Sequence, residues 1–80
     1  MKAKIDNVNI RGCEVKANKQ GEPYMLVRFE DETGKPFELV DKEMDRQPYY
    51  KRNTDMNLVV DITMGKYTNI RIIDATKIEE

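Results

Sequence analysis

The chain contains no histidine, no tryptophan and a single cysteine. Histidine normally supplies general acid–base catalysis near neutral pH, so its absence argues against an enzyme with a histidine-dependent mechanism. Cys13 has no partner for a disulfide within the chain, and no Cys/His spacing typical of a zinc site is present. We therefore expect a non-enzymatic protein without metal or cofactor, in a reducing cytoplasmic compartment, with Cys13 packed as a small apolar side chain.

Glycines and long apolar runs are also scarce. The four glycines are too far apart to form a phosphate-binding loop. The segment Met1–Asp6 has no apolar run long enough for a signal peptide or a membrane span, which predicts a soluble protein without a membrane partner. A chain of 80 residues predicts one domain, 1–80. Such a domain buries only about 60% of the surface that its unfolded chain exposes, so a homodimer would add stability.

The net charge is −1, from 14 lysines and arginines against 15 aspartates and glutamates. A nucleic-acid-binding domain usually carries a basic footprint, so the total argues against one. The distribution is uneven, because residues 21–46 carry four bases and eight acids, whereas residues 1–20 carry five bases and two acids and residues 47–54 two bases and no acid. Positive charge therefore clusters at both ends of an acidic block, unless this is the fluctuation expected of any short chain.

Apolar and polar residues alternate through most of the chain, and this period of two predicts β-strands. The clearest strand runs from Met56 to Met64, with its even-numbered residues forming a core face. Another runs from Tyr24 to Glu30. Its core side holds Met25, Val27 and Phe29, and its outward side holds Tyr24, Leu26 and Arg28.

The first and last strands are predicted to bend. The apolar phase of the first strand changes twice, the second time at Gly12, where a glycine accommodates a kink. Val15 lies on the apolar side after that kink. The last segment, Tyr67–Ile78, changes phase by one residue at Ile73, which indicates a bulge.

The remaining pattern indicates the fold class. Asp31–Gly34 is typical of a tight hairpin with its glycine in the left-handed conformation, and it leads into a strand over Lys35–Asp41. Residues 42–55 lack alternation, with a predicted turn of helix at Lys42–Arg46 before Pro48. Five strands, with a long connection between the third and fourth, predict an all-β fold, a small five-stranded OB-fold barrel. An SH3-like barrel is the structural alternative.

Aromatic residues beside bases mark the predicted ligand surface. Tyr24 and Arg28 share one outward face, which suits stacking of a base and pairing with a phosphate, although a tyrosine at the barrel rim would show the same pattern. The segment Arg46–Thr54 holds three bases, the adjacent Tyr49 and Tyr50, and no carboxylate. Neighbouring residues of an extended chain point opposite ways, so one tyrosine is expected to stack while the other anchors the segment.

Two predicted hairpin tips differ in chemistry. Tyr67 follows Gly65-Lys66, and an exposed ring at such a tip is unusual unless something binds it. The acidic run Glu30–Glu32 lies at the other tip, where carboxylates are normally solvated, so we predict no metal site there.

In these features the chain resembles the small single-stranded-DNA-binding (helix-destabilising) proteins of filamentous phages, which are OB-fold dimers. The residues that carry the resemblance are Gln20-Gly21-Glu22-Pro23-Tyr24, Leu26, the segment Asp31–Lys42, Gln47-Pro48 and Ile73-Asp74. The resemblance implies DNA contacts at Lys19, Tyr24, Leu26 and Lys42, an accessible aromatic at Phe37, and a loop aromatic at Tyr67. Glu22 and Glu14 stand at or near positions where the family has basic residues, so this hairpin is less basic than the family's. Phe37 shares phase with Leu39, so burial in the core is the alternative for this ring.

Together these observations predict a sequence-tolerant binder of single-stranded DNA, with RNA as a second candidate ligand and no small-molecule substrate. We expect a homodimer that acts in replication of a phage, a plasmid or another mobile element. The predicted phosphate contacts are Lys16, Lys19, Arg28, Lys42, Lys51 and Arg52. The predicted base-stacking residues are Tyr24, Tyr49 or Tyr50, and Tyr67, and the resemblance adds Leu26 and Phe37 as further DNA contacts. The alternative is a small β-barrel that binds another protein through its tyrosine surface.

Overall fold

The computed structural model describes residues 1–78 and shows a closed barrel of five strands. The strands are β1 Lys2–Ala17, β2 Pro23–Glu30, β3 Pro36–Asp41, β4 Asp55–Met64 and β5 Thr68–Lys77, and a 3₁₀ helix, Met44–Tyr49, lies between β3 and β4. The order around the barrel is β1-β2-β3-β5-β4, with β1 also paired to β4. The β3–β5 pair is parallel and the others are antiparallel. This confirms the predicted OB-fold-like barrel and its long connection; residues 79 and 80 of the predicted domain lie outside the described part.

β1 is long because it pairs with two neighbours in succession. Residues up to Asn9 pair with β4, and residues from Asn9 onward pair with β2. The register shifts between Ile5 and Val8 and again between Ile10 and Gly12. These two shifts confirm the two predicted bends, and they let one strand close both sides of the barrel.

Asn7 shapes the first bend. Its φ of 58° lies in the left-handed region, where asparagine is tolerated better than most residues. Its backbone N–H donates to Asn57 Oδ1 at 3.0 Å, and its Nδ2 donates to Glu32 Oε1 at 2.8 Å. The bulge thereby fastens β1 to β4 and to the β2–β3 hairpin.

β5 has the predicted irregularity at Ile73. Val59 pairs with Asp74 and Val60 with Ile72, so Ile73 has no residue opposite it on β4. The one-residue phase change in the sequence is therefore a β-bulge.

The barrel interior is filled by alternate residues of the strands. All three predicted core residues of β2 are buried. The buried apolar core consists of Val8, Ile10, Met25, Val27, Phe29, Tyr50, Met56, Leu58, Val60, Ile72 and Ala75. Each large aliphatic or aromatic side chain buried in this way contributes on the order of 1.5–3 kcal/mol.

The prediction of core positions is wrong at the ends of two hairpins. Met64 is 68% exposed, and Val15 and Ile70 are exposed as well, although all three are in phase with buried residues. The molecule measures 39 × 25 × 19 Å, which is elongated for a barrel of this size. The β1–β2 and β4–β5 hairpins continue past the barrel, so their apolar phase continues where no interior remains to receive it.

The connection between β3 and β4 is anchored by a buried carboxylate. Asp41 is fully buried and accepts hydrogen bonds from Arg46 Nε at 2.7 Å, from Arg46 Nη2 at 2.9 Å, from the backbone N–H of Glu43 at 2.9 Å and from the hydroxyl of Tyr50. The hydrogen bond to Asp41 raises the pKa of Arg46. Burial, with Asp41 beside it, raises the pKa of Tyr50, so its hydroxyl remains protonated.

The helical turn lies slightly later than predicted. The sequence predicts a turn at Lys42–Arg46 that ends before Pro48, whereas the observed 3₁₀ helix spans Met44–Tyr49 and includes Pro48. Asp41 explains the shift, because it engages Glu43 and Arg46 and holds the chain in a non-helical conformation at Lys42 and Glu43.

Candidate nucleic-acid interface

A continuous groove crosses the outer face of the sheet formed by β2, β3, β5 and β4. One part, of about 630 Å³, is lined by Asn18, Glu22, Pro23, Tyr24, Leu26, Val40 and Lys42. The other part, of about 440 Å³, is lined by Val40, Lys42, Asp61, Thr63, Asn69, Ile70 and Arg71. Because Val40 and Lys42 line both parts, they form the middle of the groove. Volumes of this size are typical of ligand-binding clefts.

Strand register explains why these residues share a face. Leu26 is opposite Val40, Val40 is opposite Arg71, and Arg71 is opposite Asp61. Residues directly opposite each other in a sheet point to the same side, so these four form one row across the barrel exterior. In this row Leu26 and Val40 form an apolar floor, and Arg71 and Asp61 form a polar flank beside it.

Tyr24 lies at the β2 end of the groove. Its cross-strand partner on β1 is Lys16, and the tyrosine is half-buried while the lysine is exposed. A partly supported ring beside a cation has the chemistry used to stack bases and attract phosphates.

The β1–β2 hairpin that borders Tyr24 has an ordered tip. Asn18 Oδ1 accepts from the backbone N–H groups of Gln20 at 3.0 Å and Glu22 at 2.9 Å. Gly21 has φ +80°, a conformation that favours glycine. These interactions hold the tip that carries Lys19 at one side of the groove.

The β4–β5 hairpin borders the opposite side. Thr63 and Asn69 are a cross-strand pair on this hairpin, and both line the groove. Beyond them, at the tip, Tyr67 is 71% exposed, and Lys66 Nζ lies 5.7 Å from the centroid of its ring. An exposed aromatic ring with a cation beside it therefore stands at the edge of the groove.

The arginines along this face are paired with carboxylates. Arg28 Nη2 lies 3.2 Å from Glu14 Oε2, and Arg28 Nε lies 3.3 Å from Glu38 Oε2. Arg71 Nη2 lies 3.8 Å from Asp61 Oδ2. Within residues 1–78, the lysines near the groove have no such partner; they are Lys16, Lys19, Lys42 and Lys66. Lysines are therefore the cations available to a bound phosphate.

Comparison with known proteins does not place the chain in a family. It matches no protein-family model, no curated protein and no solved structure.

Of the predicted contacts, Tyr24, Leu26 and Lys42 line the groove directly, and Lys16 is opposite Tyr24. Lys19 and Tyr67 lie on the tips of the two hairpins whose other residues line the groove. The predicted contacts did not include Asn18, Val40, Asp61, Thr63, Asn69, Ile70 or Arg71, which also line the groove. Alternation along β4 places Thr63 outward, so that residue could have been found. Asn69 requires the register of β5 against β4, which no local pattern specifies.

Of the two adjacent tyrosines predicted as alternatives for a base contact, Tyr50 is the buried one. It is only 4% exposed and donates its hydroxyl proton to Asp41, whereas Tyr49 is 44% exposed. This confirms that one of the two adjacent tyrosines anchors the segment. The buried ring cannot stack on a base.

The basic segment around Tyr49 lies outside the groove. Tyr49 borders a separate hollow with Ala75, Thr76 and Lys77 at the end of β5. The turn that contains Lys51 and Arg52 is held against β1, since the backbone N–H of Asn53 donates to the carbonyl of Ile10 at 2.7 Å. Tyr49, Lys51 and Arg52 therefore do not line the groove, although all three are exposed.

Phe37 is also separated from the groove. It lies on the inward phase of β3 with Leu39 and Asp41, near the barrel end, and remains 46% exposed. Its ring stacks on Phe29 with the centroids 5.7 Å apart. It therefore faces a different surface from Tyr24.

The described residues do not bring metal-ligating side chains together. Within residues 1–78, no group of three or more cysteine, aspartate or glutamate side chains could hold a metal ion. At the β2–β3 tip, Asp31 Oδ1 instead accepts from the hydroxyl of Thr33 at 2.7 Å and from the backbone N–H groups of Thr33 and Lys35, both at 2.9 Å. The Thr33 hydroxyl is the main reason that the pKa of Asp31 is lowered.

Cys13 is half-buried, and burial raises the pKa of its thiol, which keeps it protonated and weakly nucleophilic. Among residues 1–78, the structure has no helix of the length and apolar character needed to cross a membrane.

Proposed function

We propose that this protein binds single-stranded DNA in the groove between its two hairpin tips, without strong sequence preference. The observation that carries the proposal is that Tyr24 and Lys42 line one groove whose floor is apolar, on the β2–β3 face. In OB-folds this face, together with the β1–β2 and β4–β5 loops, is where oligonucleotides and oligosaccharides bind. An exposed ring and unpaired lysines favour the oligonucleotide.

The mechanism combines stacking with phosphate neutralisation. A base stacked on Tyr24, or on Tyr67 at the opposite tip, contributes about 1–3 kcal/mol. Lys42 in the middle and Lys19 at the border meet phosphates, and each neutralised phosphate adds about 0.7 to the slope of log affinity against log salt for a single strand. Because the net charge is −1, stacking must supply much of the affinity. A strand with unpaired, unstacked bases satisfies this requirement and a duplex does not.

Titration with oligo-dT tests the proposal, followed by tyrosine fluorescence because no tryptophan is present. We expect Tyr24→Ala to weaken binding roughly 5- to 150-fold, the equivalent of losing one stacked base. Tyr49→Ala is the matched control, since Tyr49 is exposed but lies outside the groove, and it should bind like the wild type. Unchanged tyrosine emission of the wild type at low salt, where phosphate attraction is strongest, would exclude the proposal.

A protein-interaction module is the second candidate function. The exposed Phe37 lines a hollow of about 380 Å³ next to the groove, together with Arg11, Arg28, Phe29, Glu30, Pro36 and Glu38. An exposed phenylalanine beside an apolar hollow is typical of a protein contact. If oligo-dT does not bind, this surface becomes the leading candidate.

We further propose that the protein acts as a homodimer in the replication of a mobile element, as its resemblance to the phage proteins implies. The exposed apolar side chains of the β4–β5 hairpin, Met64 and Ile70, support a second copy as partner beside the groove, which Ile70 also lines. Such a small barrel gains stability by covering this surface.

A further inference from the structure

The cluster around Arg28 has more negative than positive charge. Arg28 on β2 lies between Glu14 on β1 and Glu38 on β3, with nitrogen–oxygen distances of 3.2 and 3.3 Å. All three side chains are about half exposed, so the cluster faces solvent. With one guanidinium and two carboxylates, its formal charge is −1.

This cluster lies beside the groove on the outward side of β2, where Arg28 and Glu38 also line the hollow that holds Phe37. Arg28 and Leu26 are two residues apart on β2, and Glu14 is directly opposite Leu26. A strand bound along the apolar floor would therefore pass close to the cluster. At about 0.1 M salt the screening length is about 10 Å, so a phosphate within that length of the cluster senses the carboxylates.

We infer that Glu14 and Glu38 keep Arg28 from binding phosphate, so that electrostatic attraction to the groove alone is too weak to hold a polyanion and base stacking must supply the rest. The inference rests on the proposed function and concerns the same groove. A phosphate reaching Arg28 must displace two carboxylates that already satisfy it, and the remaining charge of the cluster repels the phosphate. A polyanion without bases has only electrostatic attraction to offer, whereas a single-stranded DNA also stacks on Tyr24.

The test uses the double variant Glu14→Gln/Glu38→Gln with two probes, oligo-dT and an abasic oligonucleotide of the same length. We expect the wild type to bind oligo-dT and to show little affinity for the abasic probe. In the double variant, Arg28 becomes a new phosphate contact. The salt slope should steepen by about 0.7, and affinity for each probe should rise roughly tenfold at 50 mM salt.

Two further variants isolate the role of Arg28. The triple variant Glu14→Gln/Glu38→Gln/Arg28→Gln should return the salt slope to the wild-type value, because the new cation is gone. Asp6→Asn/Asp45→Asn changes the net charge by the same amount as the double variant at exposed positions that do not line the groove, and it should leave both probes unaffected. Circular dichroism checks that each variant retains the barrel.

The outcomes separate the inference from the proposed function. If the wild type binds oligo-dT and the double variant shows the same slope and affinity, the inference is wrong and the proposed function stands. An equal gain in the triple variant or in the Asp6/Asp45 variant would also overturn the inference, since the effect would then be one of net charge. If only the double variant binds oligo-dT, Glu14 and Glu38 still block Arg28, but the wild-type groove does not hold DNA and the proposed function is wrong; if neither binds, both are wrong.

Discussion

At the scale of single residues, Asp41 has the most constrained environment in the described chain. It is the buried charged residue of the core, and its oxygens accept from Arg46, Tyr50 and the backbone of Glu43. A buried carboxylate is tolerated only when it is paired and hydrogen-bonded. Asp41 therefore requires the connection to fold over it, while its neighbour Lys42 faces the groove.

Arg46→Ala tests this requirement. The substitution leaves Asp41 buried without its cation, and we expect the free energy of unfolding to fall by about 3–5 kcal/mol, measured by urea denaturation. Arg52→Ala is the control, because Arg52 is exposed on the same connection; its effect should stay within about 0.5 kcal/mol. Equal effects of the two substitutions would show that the Asp41 pairing is not what stabilises the connection.

At the scale of elements, the hairpins determine the shape of the groove. The β1–β2 and β4–β5 hairpins extend past the barrel and border the groove on opposite sides, whereas the β2–β3 hairpin is a tight turn fastened to β1 through Glu32 and Asn7. The glycine of the β2–β3 turn and the glycine of the β1 bend differ in backbone conformation. Gly34 has φ +83°, while Gly12, at the β1 bend, has no positive φ.

Alanine substitution of these two glycines should therefore give different results. Gly34→Ala forces a Cβ into the left-handed region, and we expect a loss of about 1–2 kcal/mol in thermal or urea unfolding. Gly12→Ala meets no atom within 4 Å and needs no unusual φ. It should be neutral or slightly stabilising, because alanine reduces the freedom of the unfolded chain. A larger loss at Gly12 than at Gly34 would mean that the bend, and not the turn, requires glycine.

At the scale of the whole molecule, charge and exposed apolar surface act together. A net charge of −1 provides little electrostatic repulsion between copies. Met1, Met64 and Ile70 are exposed, and the carbonyl of Met1 accepts from the backbone N–H of Ile62 on β4, which places these residues on neighbouring strands. An apolar surface of this kind on a small barrel favours association with a second copy.

Sedimentation equilibrium tests the homodimer. We expect a mass twice that of the 9.4 kDa chain, and a shift toward the monomer in Met64→Lys, because a lysine at the interface would bury an unpaired charge. Lys77→Met is the matched control at an exposed position on β5 away from the hairpin tip, and it should not change the mass. A wild type that sediments as a monomer at high concentration would contradict the dimer.

Much of the fold could be predicted from local patterns. The alternation in β2, the two bends of β1 and the bulge at Ile73 each follow from a few neighbouring residues, because a strand exposes alternate side chains and a change of phase requires an extra residue. Positions at the hairpin ends could not be predicted in this way. Met64 continues the pattern of Met56, and only the size of the barrel shows that the pattern has left the core.

For the candidate site, the kinds of residue available could be read from the chain alone: aromatic rings, lysines, no histidine, and an outward face on β2 that carries Tyr24 and Leu26. Which of these residues meet depends on how the barrel closes. Closure of the barrel brought Thr63 and Asn69 beside Lys42, turned Tyr50 into the core, and placed Lys51 and Arg52 elsewhere. The physical reason is that local alternation specifies only the side of a strand, whereas pairing between distant strands specifies which residues become neighbours.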